Sequence, residues 1–343
     1  MPAIARRTRV IEGADAHSLP VAALIAEGRP AILRGIARHL PLVAAGLEGA
    51  ETAIAALRAL DGGRPVTAFV GDPSIHGRWG YDPTCTALNF ARESGSLSAY
   101  LDRIRATLGD PHAPSIFIGS TDIDHYLPGL RVSDALQFAD PQLAAHPPLV
   151  SIWIGNRTTT AAHYDMSNNI AVCMVGRRRF TLFPPDQIAN LYPGPLDPTP
   201  AGQVVTMVDI ANPDLDRFPN FAEAMAVGEV ADLEPGDALI YPAMWWHQVE
   251  ALDAFNAMIN YWWNDTPAFV DTPMITLLHG LISLRDRPSA EKDAWRALFD
   301  YYVFGPADRA GAHLPAEARG ALAPLDTMAA RRLRAEILRK MNR

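Results

Sequence analysis

From about residue 14 to 60 apolar residues recur at helical spacing, in VAALIAEG and ETAIAALRAL, and predict short helices with brief connections. A short run, PVTAFV, predicts one strand leading into a loop with Gly71, Asp72, Pro73 and Gly77. The segment from Gly95 to Leu108 carries Leu97, Tyr100, Leu101, Ile104 and Leu108 along one side and predicts an amphipathic helix. At about residue 115 the pattern changes. Up to Trp263 the apolar runs become short, rich in β-branched and aromatic residues and broken by Pro and Gly: SIFIG, LVSIWIG, NIAVCMVG, RRFTLFPP, DALIYP and AMINYWW. That cadence predicts an antiparallel barrel or jelly roll. A proline-rich interval from Gln187 to Pro219 has no sustained periodicity and reads as a long functional loop across the barrel, outside the core.

After Pro267 helical spacing returns in TPMITLLHGLISLRDR, SAEKDAWRALFDYYVFG and LDTMAARRLRAEILRKM. The expected fold is therefore mainly β with flanking α, a double-stranded β-helix (jelly-roll, cupin) core. Its expected parts are an N-terminal helical and mixed region over 1–114 packed on the barrel, the barrel over 115–267, and a C-terminal helical region over 268–343. Leu277, Leu278, Leu281, Ile282 and Leu284 in the first tail helix, with Leu298, Tyr301, Tyr302 and Phe304 in the next, form more apolar ridge than one barrel wall needs, and this predicts a homodimer through the C-terminal helices.

The 343 residues, 49% hydrophobic and 20% charged, have ordinary globular composition with material for a large core. A net charge of -8 argues against nucleic acid as a partner, since phosphate binding needs a basic surface. The basic run from Arg331 to Arg343 suits a solvated helix end. Cys85 and Cys173 are the two cysteines and form no CxxC, so neither a disulfide framework nor a cysteine zinc site is expected. Without a signal-peptide core or a long apolar stretch, a soluble, cytoplasmic protein with no membrane partner is expected.

His163-x-Asp165, in TTTAAHYDMSNN, places an imidazole and a carboxylate on one face if the segment is a strand. His247, after the Pro235-Gly236-Asp237 turn, adds a second imidazole, with Trp245 and Trp246 expected to shield the approach. Two histidines and one carboxylate leave three coordination positions open, the facial triad of non-haem Fe(II) oxygenases. Singly, His-x-Asp occurs by chance and His247 could be a hydrogen-bonded core residue. Tyr164 should point to the other side of the strand and pack. In RRRFTLF, alternation groups Arg178 with Phe180 and Leu182 and sets Arg177 and Arg179 on the opposite face. If the Phe180 face is inward, Arg178 enters the barrel and needs an anion; the alternative is a solvated arginine run at a strand start.

HYDMSNN, GRRRFTLFPPDQ, LYPGP, NPDLDRFPNF, PGDALIYPAMWWHQVEAL and NYWW, in this order between Gly155 and Trp263, resemble the cupin-like JmjC hydroxylases, with the factor-inhibiting-HIF asparaginyl hydroxylases nearest in pattern. The resemblance implies Fe(II) held by His163, Asp165 and His247, 2-oxoglutarate as co-substrate, O2, and hydroxylation of a protein side chain or small molecule with release of succinate and CO2. It also implies that Arg178, where the family has lysine, and Thr160 hold the distal carboxylate, and that Asn169 and Asn260 line the co-substrate side. Phe117 stands where the asparaginyl hydroxylases have a tyrosine, which points to an altered pocket. Tyr81 and Trp262 are candidates for the substrate side. A cupin-type metal isomerase or lyase and a non-catalytic binding protein remain alternatives, and the substrate itself is not readable.

Overall fold

The computed structural model describes residues 4–342. In chain order its strands are β1 (Arg6–Arg7), β2 (Val10–Ile11), β3 (Ala31–Leu33), β4 (Pro65–Gly71), β5 (Arg78–Trp79), β6 (Phe90–Ser96), β7 (Ser115–Asp122), β8 (Leu149–Gly155), β9 (Thr159–Tyr164), β10 (Asn168–Val175), β11 (Arg178–Phe183), β12 (Glu229–Leu233), β13 (Ala238–Tyr241), β14 (Trp246–Ala251) and β15 (Asn256–Trp263). They form a six-stranded sheet, β1-β12-β11-β14-β9-β5, and a nine-stranded sheet, β2-β3-β13-β10-β15-β8-β7-β4-β6. Most pairings are antiparallel and many strands neighbour partners distant in sequence, such as β11 between β12 and β14. This is the mainly β fold with flanking helices expected for a cupin core. Each apolar run singled out between 115 and 263 is a strand.

Two compact units divide the chain, one running to Asn264 and the other from Asp265. In the first, β3, β4 and β6 extend the nine-stranded sheet from the N-terminal side. The helices Val21–Ala26, Pro41–Glu48, Ala50–Ala59 and Leu97–Arg105 bury Val21, Leu42, Val43, Leu57 and Leu101 in the core cluster that also contains Ile152, Ile170 and Ile259. Ser96 caps the last of these by accepting from the Ala99 N–H at 3.2 Å, which sets its start at the strand end.

The expectation for the proline-rich interval needs correction. Leu191, Val204 and Val208 from that interval are buried with Phe183, Phe221 and Trp246 in a core cluster on the outer side of the six-stranded sheet. Its regular pairing is confined to the single bridge Pro193–Thr206, so the apolar residues escape periodicity, yet they are core.

In the second unit the helices Pro273–Ser283, Ser289–Phe299 and Thr327–Met341 fall on the three predicted segments. From Asp265 onward only Ala310 and Gly311 are buried among the described residues. Ile275, Leu277, Ile282, Phe304 and Ile337 are exposed. No described helix is long and apolar enough to cross a membrane.

Candidate active site

Between the two sheets lies a cavity of about 320 Å³. His163 on β9 and His247 on β14 are direct cross-strand partners in its wall, with ring centroids 4.4 Å apart. Asp165 does not lie on the strand as alternation would have it; β9 ends at Tyr164, and Asp165 belongs to the turn that follows. That turn is held by the Met244 N–H, which donates to the Asp165 carbonyl at 2.8 Å, and by the Ala243 N–H, which donates to Asn168 Oδ1 at 3.0 Å. The ligand atoms of His163, Asp165 and His247 lie within 4.8 Å of one another, and His247 Nε2 is 3.7 Å from Asp165 Oδ2.

Each imidazole is oriented by its own chain. His163 Nδ1 lies 2.9 Å from the Ala161 carbonyl, and His247 Nδ1 lies 2.9 Å from the Trp245 carbonyl. A carbonyl only accepts, so in both rings Nδ1 carries the hydrogen and Nε2 keeps its lone pair for a metal. Burial, then the neighbouring His163, pushes His247 down to about 4, with Asp165 opposing, so it is neutral at pH 7. Two imidazole nitrogens and one carboxylate oxygen, converging from one side, fit a divalent first-row metal with open positions.

The Ala161 carbonyl is available because β9 is irregular. His247 pairs with His163 but Val249 pairs with Thr160, so the single residue Gln248 on β14 opposes two, Ala161 and Ala162, on β9. This bulge turns Thr160 onto the cavity side, where it joins Thr158 and His163 in the wall. Strict alternation would set Thr160 opposite His163; the extra residue removes that conflict.

On β11 the inward face carries Arg178, Phe180 and Leu182, all buried. Arg178 is 2% exposed and lines the cavity, and its Nε and Nη2 have no hydrogen-bond partner among the described residues. Burial lowers its pKa to about 10, still charged at pH 7. Arg177 and Arg179 lie elsewhere. Arg177 Nη2 and Nε donate to Asp253 at 2.8 and 3.1 Å, and Arg179 Nε donates to Asp232 at 2.7 Å.

Asn260 lines the cavity, and Asn169 stands behind it, fully buried. Asn260 Nδ2 donates to Asn169 Oδ1 at 2.9 Å, and Asn169 Nδ2 donates to the Tyr241 hydroxyl at 2.6 Å. Burial raises the Tyr241 pKa well above the ordinary phenol value, so the hydroxyl stays protonated. Its ring lies 4.9 Å from that of His247. Sequence reasoning missed Tyr241; its signal was its place at the end of the strand before His247. Trp262 and Phe117 line the cavity, whereas Tyr81 does not: its hydroxyl donates to the Pro195 carbonyl at 3.2 Å. Trp245 and Trp246 do not shield the approach. The Trp245 indole donates to the Gly28 carbonyl at 3.0 Å, and Trp246 packs edge-on to Tyr164 on the outer side. Trp79, Trp153, Phe69 and Phe90 complete the wall and carried no sequence signal beyond being aromatic. Gly119 allows the rings to close there, because a Cβ would come within 2.6 Å of the Trp153 ring.

A mainly β fold of the cupin type, with His163, Asp165 and His247 gathered at its interior cavity, carries a group of side chains able to hold a metal ion. Residues 17–269 match the cupin-like domain family, and the chain belongs to it; the family includes 2-oxoglutarate-dependent oxygenases. Over 114 residues the chain is 38% identical to rat HSPB1-associated protein 1, covering 33% of this chain and 23% of the relative. It is 34% identical over 106 residues to tRNA wybutosine-synthesizing protein 5 of Gallus gallus, covering 31% and 30%. Lysine-specific demethylase JMJ31 of Arabidopsis thaliana is 28% identical over 115 residues, covering 33% and 20%. The chain thus spans less than a third of the length of these relatives.

Proposed function

We propose that this protein is an Fe(II)- and 2-oxoglutarate-dependent oxygenase that hydroxylates a C–H bond of a protein side chain or a small molecule. Overall, one oxygen atom of O2 enters the substrate as a hydroxyl and the other enters succinate, while 2-oxoglutarate loses its C1 carboxylate as CO2. The observation that carries this reading is Arg178, a buried guanidinium with two unpartnered nitrogens in the same cavity as the His163, Asp165 and His247 cluster. A charge in that position is stable only with an anion against it. A dicarboxylate that reaches from the metal cluster to Arg178 satisfies both ends.

His163, Asp165 and His247 would hold the metal, and iron bound there would supply the oxidative decarboxylation of the co-substrate that drives hydroxylation. The carbonyls of Ala161 and Trp245 keep both imidazoles aimed. Arg178 neutralises the distal carboxylate with Thr160 as a hydroxyl partner, and the Asn260–Asn169–Tyr241 chain stiffens the opposite wall. Aromatic side chains exclude water from the reacting atoms. Succinate and CO2 release from 2-oxoglutarate on addition of Fe(II) tests the proposal. Turnover of neither, with the metal bound, would favour a cupin-type isomerase or lyase or a binding protein.

The same proposal includes a homodimer through the C-terminal helices, supported by the exposure of Leu277, Leu278, Ile282, Leu298 and Phe304 in a unit that buries almost nothing of its own. Light scattering at micromolar concentration checks it. A monomer mass for the full chain, with a monomer again after truncation at Pro267, refutes it.

A further inference from the structure

With the metal cluster and Arg178 assigned to iron and co-substrate, the cavity wall holds no other ionisable Asp, Glu, Lys, Arg or His side chain. What remains toward the β4, β6 and β7 side is aromatic, and the rings form one continuous series. Phe69 meets Phe90 edge-on at 5.5 Å, and Phe90 meets Trp79 edge-on at 4.8 Å. Trp79, Phe117 and Trp153 then lie nearly parallel, with centroids 6.4 and 5.2 Å apart and interplanar angles of 30° and 23°. Trp262 closes the series edge-on to Trp153 at 5.9 Å. Within it the indole N–H groups of Trp79, Trp153 and Trp262 have no acceptor among the described residues. Among the described residues the wall thus presents ring faces and ring edges beside Ser120, Thr158 and Asn260, with no second cation for an anion.

We infer that the group this site takes up beside the metal is a planar, uncharged ring. This names the substrate class and rests on the oxygenase reading above. Ring on ring, in stacked or edge-on geometry, is the contact such walls favour. An aliphatic ring would fill space without using the faces, and a quaternary ammonium, which ring faces also attract, is the competing outcome that the test below separates.

The full chain, loaded with Mn(II) and 2-oxoglutarate, is titrated with four probes followed by ligand-observed NMR and tryptophan fluorescence. They are 1,3-dimethyluracil (planar, neutral, acceptors only), cyclohexanol, tetramethylammonium and benzoate. The expected result is saturable binding of 1,3-dimethyluracil that exceeds each of the others. Trp153→Ala should weaken it roughly tenfold, as the loss of one stacking partner does. Trp153→Phe, which keeps a ring and removes the N–H, should retain the larger part of the affinity, and this covers the case in which the alanine variant does not fold. Equal or stronger binding of tetramethylammonium, cyclohexanol or benzoate overturns the inference, as does binding of none. Mn(II) and 2-oxoglutarate binding, measured separately by dialysis against Arg178→Ala, distinguishes the two failures. If both bind and the uracil does not, only the substrate class falls. If the uracil binds in a Trp153-dependent way and 2-oxoglutarate does not, the oxygenase reading falls instead.

Discussion

Arg177, Arg178 and Arg179 follow one another in the chain, yet the faces of the six-stranded sheet give them opposite surroundings. On the outer side Arg177 and Arg179 reach Asp253 and Asp232 near solvent, where such pairs add little to stability. On the inner side Arg178 lies among Phe180, His247 and Tyr241 with no carboxylate partner and two unmatched nitrogens. The histidines follow the same division: His163 and His247 face in, whereas Tyr164 and Trp246 beside them face out and pack together. A sheet separates neighbours in sequence into chemically distinct compartments, and of these three arginines the one without a carboxylate partner among the described residues faces the interior. Charge alone says little about role; the absence of an internal partner says more.

The largest effect should come from the inward cluster. His163→Ala, Asp165→Ala and His247→Ala should each lower affinity for Fe(II), or for Mn(II) under anaerobic titration, by more than the roughly 10–100-fold that changes behind the ligands produce. Near wild-type affinity in both histidine variants would remove the metal site. Next, Arg178→Ala should raise the 2-oxoglutarate requirement by about two orders of magnitude or more, matching the roughly 3–5 kcal/mol expected when one partner of a buried charge pair is removed. Metal binding should survive, and Arg178→Lys should recover part of the loss; unaltered 2-oxoglutarate dependence in Arg178→Ala would remove Arg178 from the co-substrate site.

A smaller effect concerns acidity. In the metal-free protein His247 titrates near 4 when folded, below its ordinary 6.5, so the unfolded chain binds the proton more readily in between. Its contribution to stability is therefore whole above about pH 6.5 and declines as the pH falls toward 4. Thermal melts of the metal-free protein across this window should show the decline, and His247→Gln should flatten it; parallel curves for the two proteins would contradict the assignment. The smallest effect belongs to the outer face. Arg177→Ala and Arg179→Ala should change stability by less than about 1 kcal/mol in denaturant melts and leave 2-oxoglutarate dependence unaltered. A selective loss of co-substrate binding in these two would invert the faces.

How far the sequence could be read depended on how local each signal was. Strand runs such as NIAVCMVG and RRFTLFPP, and the tail helices, were legible because periodicity is a property of neighbours. The strand β12, Glu229–Leu233, was not singled out, since its residues alternate only over a short span beside the helix Phe221–Val227. The core role of Leu191, Val204 and Val208 was hidden because their partners lie across the six-stranded sheet. Asp165 was legible as a ligand candidate from spacing, but spacing supplied the wrong reason: the turn pinned by Met244, and not a strand face, brings it to the two histidines. The aromatic wall was almost illegible, because Phe69, Phe90, Trp79 and Trp153 come from four strands and an aromatic residue looks the same in sequence whether it fills a core or lines a cavity.

Legible in the sequence alone were the alternation that groups Arg178 with Phe180 and Leu182 on one face, the apolar runs that must pair as strands, and the residue types able to hold a divalent metal. Those are consequences of side-chain chemistry and of a two-residue strand period, which need no knowledge of the partner strand. Tertiary structure decided the rest. Pairing of β9 with β14 put His163 opposite His247, and a single extra residue in β9 turned Thr160 toward them and freed the Ala161 carbonyl to orient a ring. Register and bulges arise between segments, where one residue of slip exchanges the two faces, and so the geometry of the site exists only once the strands have found each other.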